Sequence, residues 1–354
     1  MKTMKRNATL RPKVNAYTPP WRFLLQTYLR NALCPAPTSG GVPLRERPKE
    51  RPWNFSISAE ASGANDSVAL TKSTSPTVVE LDIWDFRTMV RKYVDGAPDC
   101  FITENDKPFM DMPCYDVNSL TEGHVNFLSR VNTQDEFMLL IMKFILGPVT
   151  ECCRILNNIS RNVPLAKSLE FIALRGPHSA SVVDWDVLRI PATVHGEGAL
   201  SIICVPPWKL DFEDLRAFSM PTKIPENYSH PRFMETSAEA ISNANNLWQV
   251  VLDACAPAGP CFVVTNYVFW CFGKFRTPQG SSESVKGKGK AKDVDEGWTT
   301  VTVSTPIELE MSVPNSVRLP MMTEPMGLGC TVPECLTFWI QMTRGAAAWL
   351  PQVD

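Results

Sequence analysis

The sequence predicts an α/β protein in which a mixed sheet is flanked by helices. Segments with helical apolar spacing stand in the first half of the chain, near residue 240 and at the C-terminal end. Short apolar runs bounded by turn residues stand between them and again after residue 260. Helices and short strands in this order pack as a sheet covered by helices.

The helices are predicted from apolar spacing and from the residues that begin and end them. Val79, Ile83, Phe86, Val90 and Tyr93 recur at helical spacing and predict the first ordered helix. Further helices are expected over 119–147 (one or two), 149–162, 235–259 and 333–349. The helix over 235–259 has a predicted capping box at Thr236 and Glu239. Its predicted buried face consists of Ile241, Ala244, Trp248, Val251, Leu252 and Cys255.

The strands are predicted from short apolar or β-branched runs between turns. Residues 169–174, 181–190 and 199–205 are expected to form a three-strand meander. The aromatic run 261–275 is expected to be one strand that pairs with 297–304 as a hairpin. Between them, residues 277–297 alternate lysine with small residues, which predicts a flexible Lys/Gly insertion at the hairpin tip.

Residues 1–76 are predicted to be a disordered leader, because they are rich in proline, glycine, serine and charge and show little sustained apolar periodicity. Several basic residues precede Glu46, the first acidic residue, and 21–33 could form a short amphipathic helix. A mitochondrial presequence has the same features and is the alternative. Pro12, Pro19 and Pro20 interrupt the segment and favour the leader. Residues 77–354 are then one α/β domain.

The composition is that of an ordinary globular protein. Of the 354 residues, 44% are hydrophobic and 20% are charged, and the formal net charge is −2. A nucleic-acid-binding domain usually carries a basic field, so net charge does not support a nucleic-acid partner, although a local basic patch would escape this test. A protein partner is also possible.

The cysteines and the apolar runs indicate the compartment. There are eleven cysteines and no C-x-x-C motif, which predicts reduced thiols, mostly buried as small hydrophobes, in an intracellular protein of the cytoplasm or nucleus. The longest apolar run, 137–146, has half the length of a membrane span, so no membrane partner is expected.

Three segments of the second half carry a resemblance to known proteins: "NNLWQVVLDAC", "FVVTNYVFWCFGKF" and "GWTTVTVS". Over about residues 165–350 the chain resembles an uncharacterised protein family of mushroom-forming (basidiomycete) fungi. Many members of that family are similar to the PD-(D/E)XK nuclease superfamily. The resemblance therefore implies a restriction-endonuclease-like fold with a metal site formed by an Asp on one strand and Glu-x-Lys on the next.

The resemblance also implies that this site has decayed. Asp184 matches the Asp, whereas Cys204-Val205-Pro206 falls on Glu-x-Lys. Two carboxylates hold Mg²⁺, which polarises the phosphate and lowers the pKa of an attacking water, while the lysine orients that water. Cysteine in place of the glutamate and proline in place of the lysine remove a metal ligand and the cation. The expectation is a non-catalytic pseudoenzyme without a cofactor.

Two alternatives stay open. The first is a metal-dependent nuclease with migrated ligands, in which Asp184, Glu197 and Lys209 are catalytic, Asp186 is a further metal ligand and the cofactor is Mg²⁺. The second is a protein-interaction scaffold that acts through the helical segment 79–160. The structural interpretation of Asp184 and Asp186 is a strand end with solvated carboxylates.

Other catalytic motifs do not support an enzyme. The chain has no phosphate-binding glycine loop of the P-loop or Rossmann type, no H-E-x-x-H and no G-x-S-x-G. His195 and Cys204 could meet across a turn as a nucleophile pair, but no family signature surrounds either residue. A turn histidine and a core cysteine are the preferred interpretation.

Overall fold

The structure is a computed structural model that describes residues 22–31, 34–50, 76–110, 130–160, 162, 169, 171–174, 185–190, 200–222, 236–255, 259–276, 300–309, 311 and 330–345. Its strands are β1 (Arg22–Leu24), β2 (Thr38–Ser39), β3 (Val42–Pro43), β4 (Thr77–Leu81), β5 (Phe101–Thr103), β6 (Ile172–Leu174), β7 (Asp186–Ile190), β8 (Leu200–Cys204), β9 (Cys261–Thr265), β10 (Phe269–Phe275), β11 (Thr300–Ser304) and β12 (Ile307–Glu308). Its helices are α1 (Leu25–Asn31), α2 (Ile83–Gly96), α3 (Gln134–Ile141), α4 (Gly147–Leu156), α5 (Phe212–Ser219), α6 (Ala238–Cys255) and α7 (Val332–Thr343).

The central sheet is mixed, as the sequence predicts. Seven strands follow the order β4-β11-β10-β9-β8-β7-β6, and β12 pairs with β10 beside β11. The pairs β4–β11 and β8–β9 are parallel, and the others are antiparallel. The strands β6, β7 and β8 form the predicted meander. The chain then crosses through α5 and α6 to β9, and because β9 is parallel to β8 the two strands end at the same edge of the sheet.

Helices cover both faces of this sheet. One core cluster joins α1, α2, α3, α4 and α7 to side chains such as Ile202 and Cys204 of β8. The other joins α5 and α6 to the alternate residues, such as Ile203 and Val205. A strand buried on both faces reads as a continuous apolar run, which is why residues 200–205 stand out in the sequence.

The N-terminal part of the chain differs from the prediction of a disordered leader. The prediction is wrong for residues 22–31 and 34–50, which are folded against the domain; residues 1–21 and 51–75 lie outside the described ones. Helix α1 buries Leu25, Tyr28 and Leu29 in the main core cluster, and Cys34 and Leu44 join it. The amphipathic stretch within 21–33 was visible in the sequence, but it is short and the apolar residues after it are isolated, so the pattern did not show that the segment packs on the domain.

The segment predicted as the first ordered helix begins with a strand. Residues Thr77–Leu81 form β4, whereas the helix starts after Asp82, whose Oδ1 accepts the backbone N–H groups of Trp84 and Asp85 at 2.8 and 3.0 Å. Val79 is therefore a strand residue and not part of the helical face. Its spacing matches the helix by coincidence, and the aspartate cap is the signal that separates the two elements.

The aromatic run 261–275 is two strands and not one. Strands β9 and β10 form a tight antiparallel hairpin through Asn266, Tyr267 and Val268, and β10 then pairs with β11 as predicted. Side chains build this turn in place of glycine and proline: Thr265 Oγ1 accepts Tyr267 N–H at 2.9 Å and Asn266 Oδ1 accepts Phe269 N–H at 2.7 Å. Tyr267 takes a left-handed φ of 73°.

Helix α6 confirms the long helix near residue 240, with two corrections. It begins at Ala238, and Ser237 caps it by accepting Ala240 N–H at 3.1 Å, so the predicted capping box at Thr236 and Glu239 is wrong. Ile241, predicted to be buried, is 50% exposed. The other predicted face residues pack toward the sheet, because the helix contacts it from its second turn onward.

Candidate functional site

The carboxyl edge of the parallel strands β8 and β9 is the place where the topology positions a site. Ligands of open α/β sheets bind outside the carboxyl ends of such strands. Strand β7 is antiparallel to β8 and begins at this edge, and Asp186 lies opposite Cys204 in the register. We refer to this edge, from Asp186 and Cys204 to the turns that follow β8 and β9, as the candidate site.

Asp186 and Cys204 differ in their surroundings. Asp186 is half-buried, and its Oδ2 accepts a hydrogen bond of 2.9 Å from Nε2 of Gln134, at the start of α3. Cys204 is fully buried, and burial, followed by the nearby charge of Asp186, raises the pKa of its thiol well above the ordinary value. The thiol is therefore neutral near pH 7, and it can neither attack a substrate as thiolate nor replace a carboxylate around Mg²⁺.

The predicted site residues have different outcomes. Asp184 and Glu197 lie outside the described residues, as do His124, His178, His195 and His230. Lys209 is described, and its Nζ lies 3.9 Å from Glu50 Oε2 in the N-terminal segment. The structure thus brings Asp186 to Cys204 and pairs Lys209 with Glu50. Within the described ranges, no three His, Cys, Asp or Glu side chains group as metal ligands.

The turns after β8 and β9 are bonded to each other. Pro206 accepts the backbone N–H groups of Lys209 and Leu210 with its carbonyl, at 2.9 and 3.0 Å. Asn266 Nδ2 donates to Leu210 O at 2.8 Å, and Val205 N donates to Thr265 O at 2.9 Å. The backbone at this edge is satisfied by protein groups, which gives the edge a defined geometry.

A buried ion pair lies beside this edge and was missed at the level of sequence. Asp214 is 0% exposed, and its carboxylate accepts from Lys49 Nζ at 2.5 Å and from Asn243 Nδ2 at 3.0 Å. Burial raises the pKa of Asp214, and the bonds from Lys49 and Asn243 oppose that change. The capping box of Asp211 and Asp214 could have been predicted from the sequence. The pairing of Asp214 with Lys49 leaves no pattern in the sequence.

Trp208 joins the N-terminal segment to the helical layer. The guanidinium of Arg47 lies 4.1 Å from the centre of the Trp208 ring, and Glu50 N donates to Trp208 O at 2.6 Å. The ring of Phe137, on α3, meets the same indole edge-on at 6.0 Å. A stacked guanidinium on a mostly buried indole is a favourable contact, so residues 47–50 are held close to the candidate site.

Comparison with known proteins adds no assignment. No protein-family model matches the chain, and neither a curated protein nor a solved structure matches it. Among the described helices, none combines the length and the apolar character that crossing a membrane requires.

Proposed function

We propose that this protein is a non-catalytic α/β protein with a nuclease-like scaffold, whose metal site at the carboxyl edge has decayed. The observation that carries the proposal is the pairing of Asp186 with Cys204 across adjacent strands. The fungal and nuclease resemblance matches the metal-binding Asp to Asp184, two residues before Asp186 and outside the described residues, and the Glu of Glu-x-Lys to Cys204 on the neighbouring strand. A buried neutral thiol in the second position supplies no ligand for a hard cation.

Two neighbouring contacts support the same proposal. The amide of Gln134 donates a hydrogen bond to the Asp186 carboxylate. This amide takes the place that a cation would have beside the carboxylate. The nearest lysine in sequence to the expected position, Lys209, has Glu50 as a charge partner. An aspartate that is hydrogen-bonded to an amide and a lysine that lies beside a carboxylate suit a structural edge better than a reaction centre.

The proposal includes an intracellular location and action through a binding partner. The ten described cysteines are free thiols, and nine of them are buried, which supports a reducing compartment. The alternative is a metal-dependent nuclease in which Asp184, Asp186, Glu197 and Lys209 form a displaced site with Mg²⁺. Its ligands must then include residues outside the described ranges.

The test is titration calorimetry of the full chain with Mg²⁺ and Mn²⁺, together with cleavage assays on DNA and RNA. The variants are Asp184→Asn and Asp186→Asn, with Asp85→Asn on the exposed first turn of α2 as the matched control. We expect neither metal binding nor metal-dependent cleavage. Binding that the wild type and the control share and that either site variant loses would overturn the proposal. Cleavage that Lys209→Ala then abolishes would establish the migrated nuclease.

A further inference from the structure

We propose that residues 34–50 form a strap across the candidate site, with a fixed apolar end at 34–44 and a releasable charged end at 45–50. The strap rests on the proposed function only in taking the carboxyl edge of β8 and β9 as the site. It concerns access to that edge, whether or not the edge still binds a metal.

The fixed end of the strap is held by buried side chains and by the backbone. Cys34 and Leu44 are buried in the main core cluster. Val131 N donates to Thr38 O at 2.8 Å, and Gly40 N donates to Asn132 Oδ1 at 3.0 Å, which ties the strap to the residues just before α3. The short hairpin β2–β3 turns through Gly40 and Gly41, both at positive φ. Such contacts do not weaken with salt.

The charged end is held mainly by side chains. Arg47 stacks on Trp208, Lys49 pairs with Asp214 at 2.5 Å, and Glu50 Oε2 lies 3.9 Å from Lys209 Nζ. One backbone bond, from Glu50 N to Trp208 O, accompanies them. Exposed ion pairs contribute little and are screened by salt, whereas a buried pair is lost at a large cost. The ion pair of Lys49 with Asp214 is therefore the main side-chain contact that holds this end.

The two ends contact different elements that border the candidate site. The fixed end contacts Asn132, two residues before Gln134, whose amide holds Asp186. The charged end contacts Trp208, in the turn that follows Cys204. A segment attached at both places passes from the start of α3 to the turn after β8, where Phe137 packs against Trp208, so release of the charged end would expose that turn.

The test is hydrogen exchange, read by mass spectrometry, on the metal-free full chain. The variants are Arg47→Ala and Lys49→Ala, and the matched control is Arg45→Ala, because Arg45 pairs with Glu308 and not with the site. We expect exchange about tenfold faster in peptides covering 45–50 and 206–210 in both site variants, with 34–44 and α7 unchanged. The control should leave exchange at 206–210 unchanged.

Three results would overturn the strap. Unchanged exchange at 206–210 in both variants would show that the segment does not cover that turn. Faster exchange at 34–44 and in α7 together with 45–50 in Arg47→Ala would show that the segment opens only with the whole domain. If Lys49→Ala fails to fold, the double variant Lys49→Met with Asp214→Asn takes its place, because it removes both charges of the pair. Unchanged exchange at 45–50 in that double variant is the third contrary result. Because no metal is present, these results are independent of the calorimetry.

Discussion

Asp186 lies directly opposite Cys204 in the antiparallel pair β7–β8, so the two side chains are on the same face of the sheet. That face carries the larger core cluster, and Cys204 belongs to it while Asp186 bonds to Gln134 at its margin. A carboxylate at the end of a strand and an apolar partner beside it define the chemistry of this edge.

Cys204→Glu and Cys204→Gln separate charge from volume at this position. Both side chains crowd the core, but only the introduced carboxylate places a second negative charge beside Asp186. Burial and repulsion therefore raise the pKa of the introduced carboxylate. We expect Cys204→Glu to be less stable than Cys204→Gln by about 2 kcal/mol at pH 8. Because the raised pKa favours the protonated form, this difference should narrow as the pH falls toward 5.

Urea unfolding at pH 5 and pH 8 measures this difference. Equal stability of the two variants at pH 8 would contradict an apolar environment at Cys204. Addition of 10 mM Mg²⁺ is the informative control: closure of the gap by the metal would show that the remainder of a metal site persists around Asp186.

Gly273→Ala tests the packing of the central hairpin. Gly273 pairs with Phe262 across β9 and β10, and a Cβ on this glycine would overlap the Phe262 ring. We expect a loss of about 1–3 kcal/mol in unfolding free energy, because a packed core resists an added carbon. In the background of Phe262→Leu the same substitution should cost less. An equal cost in both backgrounds in a double-mutant cycle would exclude this clash as the cause.

A chain that begins at Pro76 tests whether residues 22–50 belong to the domain. It would lack the buried side chains of Leu25, Tyr28, Leu29, Cys34 and Leu44. A fully buried large apolar side chain contributes about 1.5–3 kcal/mol, so their sum approaches the whole stability of a typical domain. We expect no cooperative thermal transition in circular dichroism. A chain that begins at Arg22 is the matched control, and equal transitions in the two would contradict the packing described.

Tyr267→Phe removes one attachment of the strap's fixed end. The phenol donates to Pro35 O at 2.5 Å, and burial raises its pKa well above the ordinary value, so it stays protonated. We expect a loss of about 1–2 kcal/mol, because the Pro35 carbonyl is left without its donor. Hydrogen exchange should rise in the fixed end, 34–44, and not at 206–210. A rise at 206–210 alone would contradict the division of the strap into two ends.

Thiol alkylation tests the burial of the cysteines. Among the described cysteines Cys100 is the most accessible, whereas burial raises the pKa of Cys152, Cys204 and Cys335 well above the ordinary thiol value. At pH 8 we expect iodoacetamide to modify Cys100 at least about tenfold faster than those three, since only an exposed thiolate reacts. Peptide mass spectrometry measures the rates. Modification of Cys204 at the rate of Cys100 would show that the candidate site opens in solution.

The elements with regular patterns were predictable. The meander β6–β8, the helix α6 and the pairing of β10 with β11 follow from apolar runs and helical spacing, since a pattern of burial is written directly into consecutive residues. The candidate site was predictable in part: Cys204 and Pro206 at the end of a strand were visible, and the pairing of Cys204 with Asp186 required the register.

The sequence by itself determined the meander β6–β8 and the helix α6, because burial acts on neighbouring residues with a period of about two or about 3.6. Only the tertiary structure decided that residues 22–31 and 34–50 are part of the fold and that Lys49 pairs with Asp214. The reason is physical: these features depend on single contacts between residues far apart in the chain, and such contacts impose no periodicity on the residues around them.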